Sequence, residues 1–214
     1  MFDTTSFKHA QANMDYDLQC VNAVINGDTA SFFRVYQWQA SGLTQARTRH
    51  VPSELQHIDH GSRMTGGGLV FHCPGDIVFA QAAPINSAWA TRIKERYSQM
   101  ATLISNSLNA CDIPVQLTST PSHNKRNIQF CATYHTPYEC VLDGDKVAGI
   151  AVQKTRDLIV FQGVIHLQAT LKFFHALHDD YIPYFSKGCA AYPEVPFNQF
   201  LKTLQDNYRT LLRA

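Results

Sequence analysis

Apolar residues recur at helical spacing in three long parts of the chain. Over residues 12–25 they stand three and four positions apart, which predicts a first helix that ends before Gly27. The same spacing over residues 86–109 predicts a second helix, and Pro114 follows its end. Residues 196–213 repeat the pattern, and Pro196 suits a first helical turn. Residues 171–178 predict a shorter helix.

Runs rich in β-branched and aromatic residues predict strands between these helices. The predicted strands cover residues 31–38, 42–46, 68–72, 76–80, 115–118, 128–133, 138–142, 146–153 and 158–166. The Cys-Pro-Gly segment at 73–75 predicts a hairpin or close strand pair, and Asp143-Gly144 predicts a second hairpin. Residues 50–65 are expected to form a polar loop. Because helices and strands mix without βαβ alternation, we expect an α+β fold with a mostly antiparallel sheet packed with helices.

Charge and composition exclude several classes of protein. Eighteen basic and 17 acidic residues give a net charge of +1, without the basic excess of a protein that binds nucleic acid through its phosphates. No segment approaches the roughly 20 apolar residues of a membrane span, and the N-terminus lacks the apolar stretch of a signal peptide. The cysteines and histidines show no zinc-site spacing, so we expect no metal-ligating residues. These features favour a cytoplasmic protein that binds neither nucleic acid nor membrane.

A glycine-rich segment is the first candidate for chemistry. It has the sequence Arg63-Met-Thr-Gly-Gly-Gly-Leu-Val-Phe-His72. Glycines let a backbone approach a ligand closely and offer N–H groups to an anion, and Arg63 is suited to a charge-assisted contact with phosphate or carboxylate. The segment is neither a Walker loop nor a dinucleotide fingerprint. Taken alone, a glycine triplet is also typical of a turn or bulge.

Three further side chains have both a functional and a structural interpretation. Lys146, after the predicted Asp143-Gly144 turn, is either a solvated lysine or a cation that stabilises negative charge on a ligand, with Gly149 allowing close approach. Cys131 is either a small buried residue or a nucleophile. His72 is either packed in the core or in contact with the ligand's carbonyl region.

Taken together, the motifs follow a known order. The patterns are R-x-[ST]-G-G-G-x-V-x-H, then K-x-x-G-x-A, then [HQ]-G-x-[IL]. They are carried here by Arg63, Thr65, Gly66, Gly67, Gly68, Val70 and His72, then Lys146, Gly149 and Ala151, then Gln162, Gly163 and Ile165. This set resembles the lipoate branch of the biotin/lipoate protein ligase family, which includes lipoate–protein ligase A and the octanoyltransferases. Upstream, Asn13-Met-Asp15 with Leu18 resembles the family's N-M-x-x-D-x-x-L pattern with two residues missing. Biotin ligases match less well, because their G-R-G-R-x-x-R-x-W loop is missing.

The resemblance implies one catalytic domain over residues 1–214, with no separate C-terminal accessory domain. Its implied activity is attachment of lipoate or octanoate to the acceptor lysine of lipoyl domains. The implied carriers are the acyltransferase subunits of 2-oxoacid dehydrogenases and the glycine-cleavage H protein. Lys146 is then catalytic, and the remaining motif residues bind substrate or adenylate. Ligases of this kind use ATP and Mg²⁺ to make a lipoyl-adenylate, whereas octanoyltransferases pass the acyl group between carriers through a cysteine thioester.

The motifs divide between these two mechanisms. The intact triplet and Arg63 resemble the ligase form, so the sequence favours the ligase over the octanoyltransferase. Cys131, seven residues before Tyr138-Glu139, resembles the octanoyltransferase segment C-F-x-x-P-S-x-Y-E, and the ligase tripeptide R-N-D is absent there. Because the chain ends soon after the catalytic domain, a separate accessory chain is a further expected partner of a ligase. A third alternative, a non-catalytic member that only binds lipoyl domains or the cofactor, is disfavoured because Lys146 is present.

Overall fold

The computed structural model describes residues 2–85, 92–119, 130–131, 135–166 and 196–212, and all structural statements concern these residues. They form the helices α1 (Ala10–Ile25), α2 (Ile93–Asn109) and α3 (Phe197–Leu211). The strands are β1 (Phe32–Gln37), β2 (Gly42–Ala46), β3 (His60–Arg63), β4 (Val70–His72), β5 (Ile77–Pro84), β6 (Gln116–Leu117), β7 (Cys140–Leu142), β8 (Asp145–Lys154) and β9 (Leu158–Ile165). The predicted α+β class with a mostly antiparallel sheet is confirmed.

Two sheets organise the described chain. Six strands form an antiparallel sheet in the order β1-β5-β9-β8-β7-β6. A second sheet has the order β3-β2-β4, in which β2 pairs in parallel with β3 and antiparallel with β4. The predicted hairpin at Asp143-Gly144 joins β7 to β8, and both residues have positive φ, 52° and 89°. This geometry is typical of a two-residue turn between twisted strands.

The main core lies on one face of the six-stranded sheet. Side chains of α2 and α3 pack there against alternate residues of β5 and β9, among them Phe79 and Phe161. The predicted helical stripes are confirmed where they meet this core, at Met100, Ile104, Leu108, Phe200, Leu204 and Tyr208. Ile93 has the same helical spacing but is 41% exposed at the start of α2. Residues 86–91 of the predicted second helix lie outside the described residues, as does the predicted helix at 171–178.

The opposite face of the six-stranded sheet is covered by α1. Met14 packs there against Tyr36, Val78 and Val164. Arg34 is fully buried on this face, and its Nη1 lies 2.5 Å from Asp17 Oδ1 in α1. A buried charge is tolerated when it is paired and hydrogen-bonded, so this contact fixes α1 on the sheet.

Two expectations for the middle of the chain are wrong. The strands predicted at 68–72 and 76–80 do not pair, because β4 belongs to the small sheet and β5 to the large one. The turn between them carries the chain across, with Asp76 accepting the N–H of Cys73 and Gly75 at a φ of 94°. The loop predicted at 50–65 contains a 3₁₀ turn, Ser53–Leu55, and β3. Because β3 is short and polar, its strand character comes from parallel pairing with β2, which no local pattern reveals.

The strand predicted at 128–133 falls mostly outside the described residues. Within the described part, Phe130 forms a single parallel bridge with Leu69, and the N–H of Cys131 donates to the carbonyl of Leu69 at 2.8 Å. Among the described helices, none combines the length and the apolar character that crossing a membrane requires.

Two leucines near the C-terminus test the packing of α3. Leu204 is fully buried in the main core, whereas Leu212 is 52% exposed. We expect Leu204→Ala to lower the free energy of unfolding by about 2–5 kcal/mol, because it leaves a cavity. The matched change Leu212→Ala should alter it by less than about 0.5 kcal/mol. Urea unfolding of both variants measures the difference, and equal losses would contradict this placement of α3.

Candidate active site

A cavity of about 70 Å³ is bounded by α1, the small sheet and the face of the large sheet beneath α1. Its walls are mostly apolar and include Met14, Val70, Val78, Ile150 and Val164. On the floor, Gly149 of β8 lies opposite Val164 of β9, and Ala151 lies opposite Gln162. The cavity is therefore an apolar cleft with a few polar groups at defined positions, as is typical of ligand sites.

Lys146 connects three segments around this cavity. Its Nζ lies 2.5 Å from Glu139 Oε1 and donates to the carbonyl of Cys131 at 2.8 Å. Lys146 is only 5% exposed and Glu139 3% exposed. A side chain on Gly149 would place its Cβ 2.7 Å from Lys146 Cε, so glycine at this position makes room for the lysine. The glycine predicted to allow close approach of a ligand thus allows close approach of Lys146.

Arg63 holds the glycine segment in place. Its Nη1 donates to the carbonyl of Thr44 at 2.9 Å, and its Nη2 donates to the carbonyls of Gly66 at 2.9 Å and Gly68 at 2.6 Å. Gly67 has a φ of 102°, in the region that favours glycine. These contacts bind the guanidinium to the chain's own oxygens. The contact with a ligand anion expected of Arg63 stays a prediction.

Cys131 lies against the same segment. The backbone N–H of Gly68 donates to Cys131 Sγ at 3.2 Å, and Cys131 lines the cavity together with Lys146. A Cβ on Gly67 would lie 3.0 Å from this sulfur and 3.0 Å from Arg63 Nη2. Cys131 thus contacts the glycine segment through its thiol and Lys146 through its backbone carbonyl.

A buried chain of hydrogen bonds joins the glycine segment to α1. Gln162 Oε1 accepts from the hydroxyl and the N–H of Thr65, at 3.0 and 3.3 Å, while Gln162 Nε2 donates to Asp17 Oδ2 at 2.8 Å. Asp17 is in turn paired with Arg34. Burial raises the pKa of the Asp17 carboxyl, although Arg34 acts in the opposite direction. Because Gln162 is bonded at both ends of its amide, its orientation is fixed and it holds Thr65 in position.

Two histidines complete the polar lining. His72 is buried, stacks on Trp38 with ring centroids 4.0 Å apart, and shares a hydrogen bond of 2.8 Å between its Nε2 and Thr44 Oγ1. Burial holds the pKa of His72 well below its usual value, and His166 and Arg63 lower it further, so the ring is neutral near pH 7. His166 also lines the cavity, with Nδ1 3.0 Å from Asp76 Oδ2.

The sequence-predicted residues divide into two groups. Those that line the cavity are Arg63, His72, Cys131, Lys146, Gly149, Ala151, Gln162 and Gly163. The second group, which does not line the cavity, comprises Thr65, Gly66, Gly67 and Gly68. Gly163 has a packing role, because a Cβ there would lie 2.2 Å from Phe79 Cζ. In the described part of the chain, no group of three histidine, cysteine or acidic side chains is arranged to hold a metal ion.

Sequence reasoning missed Glu139, Asp17 and His166 as parts of the site. Glu139 belongs to the Tyr138-Glu139 dipeptide, but only the structure pairs it with Lys146. Asp17 is the acidic residue of an uninterrupted N-M-x-x-D motif beginning at Asn13; the alignment on Asp15 was wrong, because Asp15 is exposed and Asp17 is buried. No motif marks His166.

Comparison with known proteins identifies the family. Residues 9–194 match the family model described as the lipoyl protein ligase A/B catalytic domain. The chain therefore belongs to this family. No curated protein sequence matches it significantly.

Several solved structures share the fold. A bipartite lipoate protein ligase from Thermoplasma acidophilum, described with its E2 lipoyl domain, superposes with a TM-score of 0.71 at 14% identity, over 99% of this chain and 83% of that one. A lipoate-protein ligase A bound with ATP gives 0.70 at 14% identity, over 99% and 85%. Biotin protein ligase from Aquifex aeolicus, in complex with biotin and ATP, gives 0.51 at 9% identity, over 99% and 70%. At these identities the likeness shows the fold alone.

The glycine segment provides a matched pair of substitutions. We expect Gly67→Ala to destabilise the protein by about 1–3 kcal/mol, because its positive φ is strained for alanine. Its Cβ would also lie 3.0 Å from Arg63 and Cys131. A Cβ on Gly66 meets nothing within 4 Å, so Gly66→Ala should be nearly neutral for stability. Chemical denaturation measures both, and equal free energies of unfolding would show that Gly67 is not constrained in this way.

Proposed function

We propose that this chain passes an octanoyl or lipoyl group, through a thioester on Cys131, to the acceptor lysine of a lipoyl domain. The observation that carries the proposal is that Cys131 and Lys146 line one apolar cavity, with the Gly68 N–H donated to Cys131 Sγ and Lys146 Nζ donating to the Cys131 carbonyl. Membership of the lipoyl protein ligase A/B family supports the reaction class. The Thermoplasma ligase, described with its E2 lipoyl domain, supports the kind of acceptor.

The walls of the cavity suit a medium-length acyl chain. Val70, Val78 and Val164 offer aliphatic surface, and each buried methylene contributes roughly 0.8 kcal/mol of hydrophobic stabilisation. With the acyl chain along these valines, its carbonyl would lie near Lys146. The ammonium would then stabilise the negative charge that develops on the carbonyl oxygen during acyl transfer.

The contacts of Arg63 and Lys146 bear on the choice between the thioester route and the adenylate route. The sequence favours the adenylate route of a ligase, whereas these contacts favour the thioester route. A ligase would bind ATP and Mg²⁺, and a polyphosphate needs cationic or N–H partners. Arg63 donates to oxygens of Thr44, Gly66 and Gly68, and Lys146 is paired with Glu139. Within the described residues the arginine and lysine of the cavity are thus engaged by the chain itself. Arg63 would have to give up these oxygens to bind a polyphosphate, and this supports the thioester route over the adenylate route.

The thioester route requires two displacements. Cys131, as thiolate, attacks the acyl carbonyl carbon of a thioester-linked carrier; a new C–S bond forms, and the carrier leaves as a thiol after taking up a proton. The neutral amine of the acceptor lysine then attacks the acyl-Cys131 thioester. An amide forms, the C–S bond to Cys131 breaks, and the amine's proton is lost. The Gly68 N–H that contacts Cys131 Sγ would stabilise the thiolate.

The acceptors belong to the proposal as well. They are lipoyl domains of 2-oxoacid dehydrogenase complexes and the glycine-cleavage H protein, met in the cytoplasm. The second candidate, a lipoate–protein ligase that forms a lipoyl-adenylate from ATP, is supported by the intact glycine triplet and by the likeness to an ATP-bound lipoate-protein ligase A. For the ligase route a separate accessory chain is a further proposed partner; the thioester route carries no such requirement.

The role of Lys146 is tested by a pair of variants. Lys146→Ala alone would leave the Glu139 carboxylate buried without its cation, which costs about 3–5 kcal/mol. We therefore expect this variant to lose both stability and activity. The double variant Lys146→Met with Glu139→Gln should regain most of the stability while transfer stays on the order of 10²–10³-fold slower. Thermal unfolding and octanoyl transfer to a lipoyl domain measure the two effects, and a double variant of wild-type activity would remove Lys146 from the chemistry.

The role of Cys131 decides between the two routes. Incubated with an octanoylated carrier and no ATP, the wild-type protein should gain an octanoyl mass and pass it to an apo lipoyl domain. Cys131→Ser should abolish that transfer, because a hydroxyl is a far weaker nucleophile than a thiolate. Cys20→Ser changes a cysteine of similar partial exposure in α1 and serves as the control. Transfer that needs octanoate and ATP, and that survives Cys131→Ser, would establish the ligase instead.

A further inference from the structure

His166 and Asp76 form a hydrogen-bonded pair beside the reacting groups. His166 Nδ1 lies 3.0 Å from Asp76 Oδ2, and the same oxygen accepts the N–H of Cys73 at 2.9 Å. Asp76 is fully buried, while the side chain of His166 is 15% exposed. His166 lines the cavity that contains Lys146 and Cys131. The imidazole thus lines the cavity and is also partly exposed to solvent.

His166 directly follows the last residue of β9, beside β8. The backbone N–H of His166 donates to the carbonyl of Val147, the residue that follows Lys146, so the strand pairing continues to this position. His166 stands two positions after Val164, and both residues line the cavity. The ligand cavity over Val164 therefore extends to the imidazole.

The carboxylate determines which nitrogen of the ring is available. With Nδ1–H donated to Asp76 Oδ2, the ring leaves Nε2 as a proton acceptor. Asp76 Oδ1 is buried and has no hydrogen-bond partner among the described residues, so the contacts of this carboxylate are made through Oδ2. This is the arrangement of a histidine base oriented by an acid.

The other titratable groups around the cavity are engaged elsewhere. His72, on β4, is bonded to Thr44 and has no carboxylate partner among the contacts described for it. Glu139 is paired with Lys146, and Cys131 Sγ takes the N–H of Gly68. His166 therefore differs from its neighbours in having both an orienting carboxylate and partial exposure.

Attack by the acceptor lysine requires a base that removes its protons. The acceptor lysine arrives as an ammonium, and with an ordinary pKa near 10.4 only a small fraction is neutral at pH 7. We propose that His166, oriented by Asp76, takes the protons that the acceptor lysine's ammonium loses as it is acylated. His166 Nε2 takes one proton from the ammonium and releases it to solvent, after which the neutral amine attacks and the C–N bond forms. The second proton that the nitrogen must lose passes to His166 Nε2 and from there to the sulfur as the C–S bond to Cys131 breaks. The products are the amide, the Cys131 thiol and a neutral His166.

This inference rests on the proposed function. It is tested by measuring separately the loading of Cys131 and the transfer of the acyl group to the acceptor lysine. Wild type, His166→Gln and Asp76→Asn are first loaded with octanoate from an octanoylated carrier, and the acyl-enzyme is quantified by mass spectrometry. Each loaded protein is then mixed with an apo lipoyl domain, and single-turnover transfer is followed from pH 6 to pH 9.5. His9→Gln is the matched control. His9 Nδ1 lies 3.7 Å from Asp59 Oδ1 on the surface, and His9 is not one of the cavity's lining residues.

A proton-accepting role predicts a specific pattern. His166→Gln should load normally and transfer on the order of 10²–10⁴-fold more slowly at pH 7. Its rate should rise about tenfold per pH unit, following the neutral amine, so the difference from wild type narrows towards pH 9.5. Asp76→Asn should show the same pattern to a smaller degree, and His9→Gln should match wild type.

Other outcomes overturn the inference. A loss that is the same at every pH, or that also affects loading, would assign His166 and Asp76 a structural role and leave the proposed function standing. Wild-type protein that transfers no octanoyl group under these conditions would contradict the proposed function and this inference together.

Discussion

The hydrogen-bonded ion pair of Lys146 and Glu139 is the interaction on which the site depends. Two charges removed from water require close partners, and Lys146 Nζ has Glu139 Oε1 at 2.5 Å and the carbonyl of Cys131 at 2.8 Å. These contacts tie β8 to the segment before β7 and to Cys131. They also explain Gly149, over which the lysine side chain passes. The contact of Lys146 with the Cys131 carbonyl adds to the Leu69 and Gly68 contacts that hold the thiol beside the glycine segment.

The same principle applies to the other buried cations. Arg34 is paired with Asp17 in α1, and Arg63 donates to carbonyl oxygens of the glycine segment and of β2. Each cation joins two elements through hydrogen bonds, and between α1 and β1 these bonds add to the packing of Met14 on Tyr36. The valine-lined part of the cavity is left apolar and suits an acyl chain.

Sequence patterns predicted the three described helices, the long strands and part of the cavity lining, because each of these has a local signal. Periodicity marks α2 and α3, and Asp143-Gly144 marks a turn that its φ values require. The errors occur where distant partners decide. The 76–80 strand pairs with β1 and β9 rather than with its neighbour in sequence, and the use of Arg63 depends on where the Gly66 and Gly68 carbonyls point. No local pattern contains that information.

The central claim is that an acyl chain lies over Val78 and Val164 with its carbonyl carbon bonded to Cys131. A crystal structure of the protein after reaction with an octanoyl thioester tests this claim most directly. The account predicts continuous density from Cys131 Sγ into the cavity, with the carbonyl oxygen facing Lys146. An acyl chain bound outside this cavity, or an unmodified Cys131 beside an octanoyl-adenylate, would contradict it.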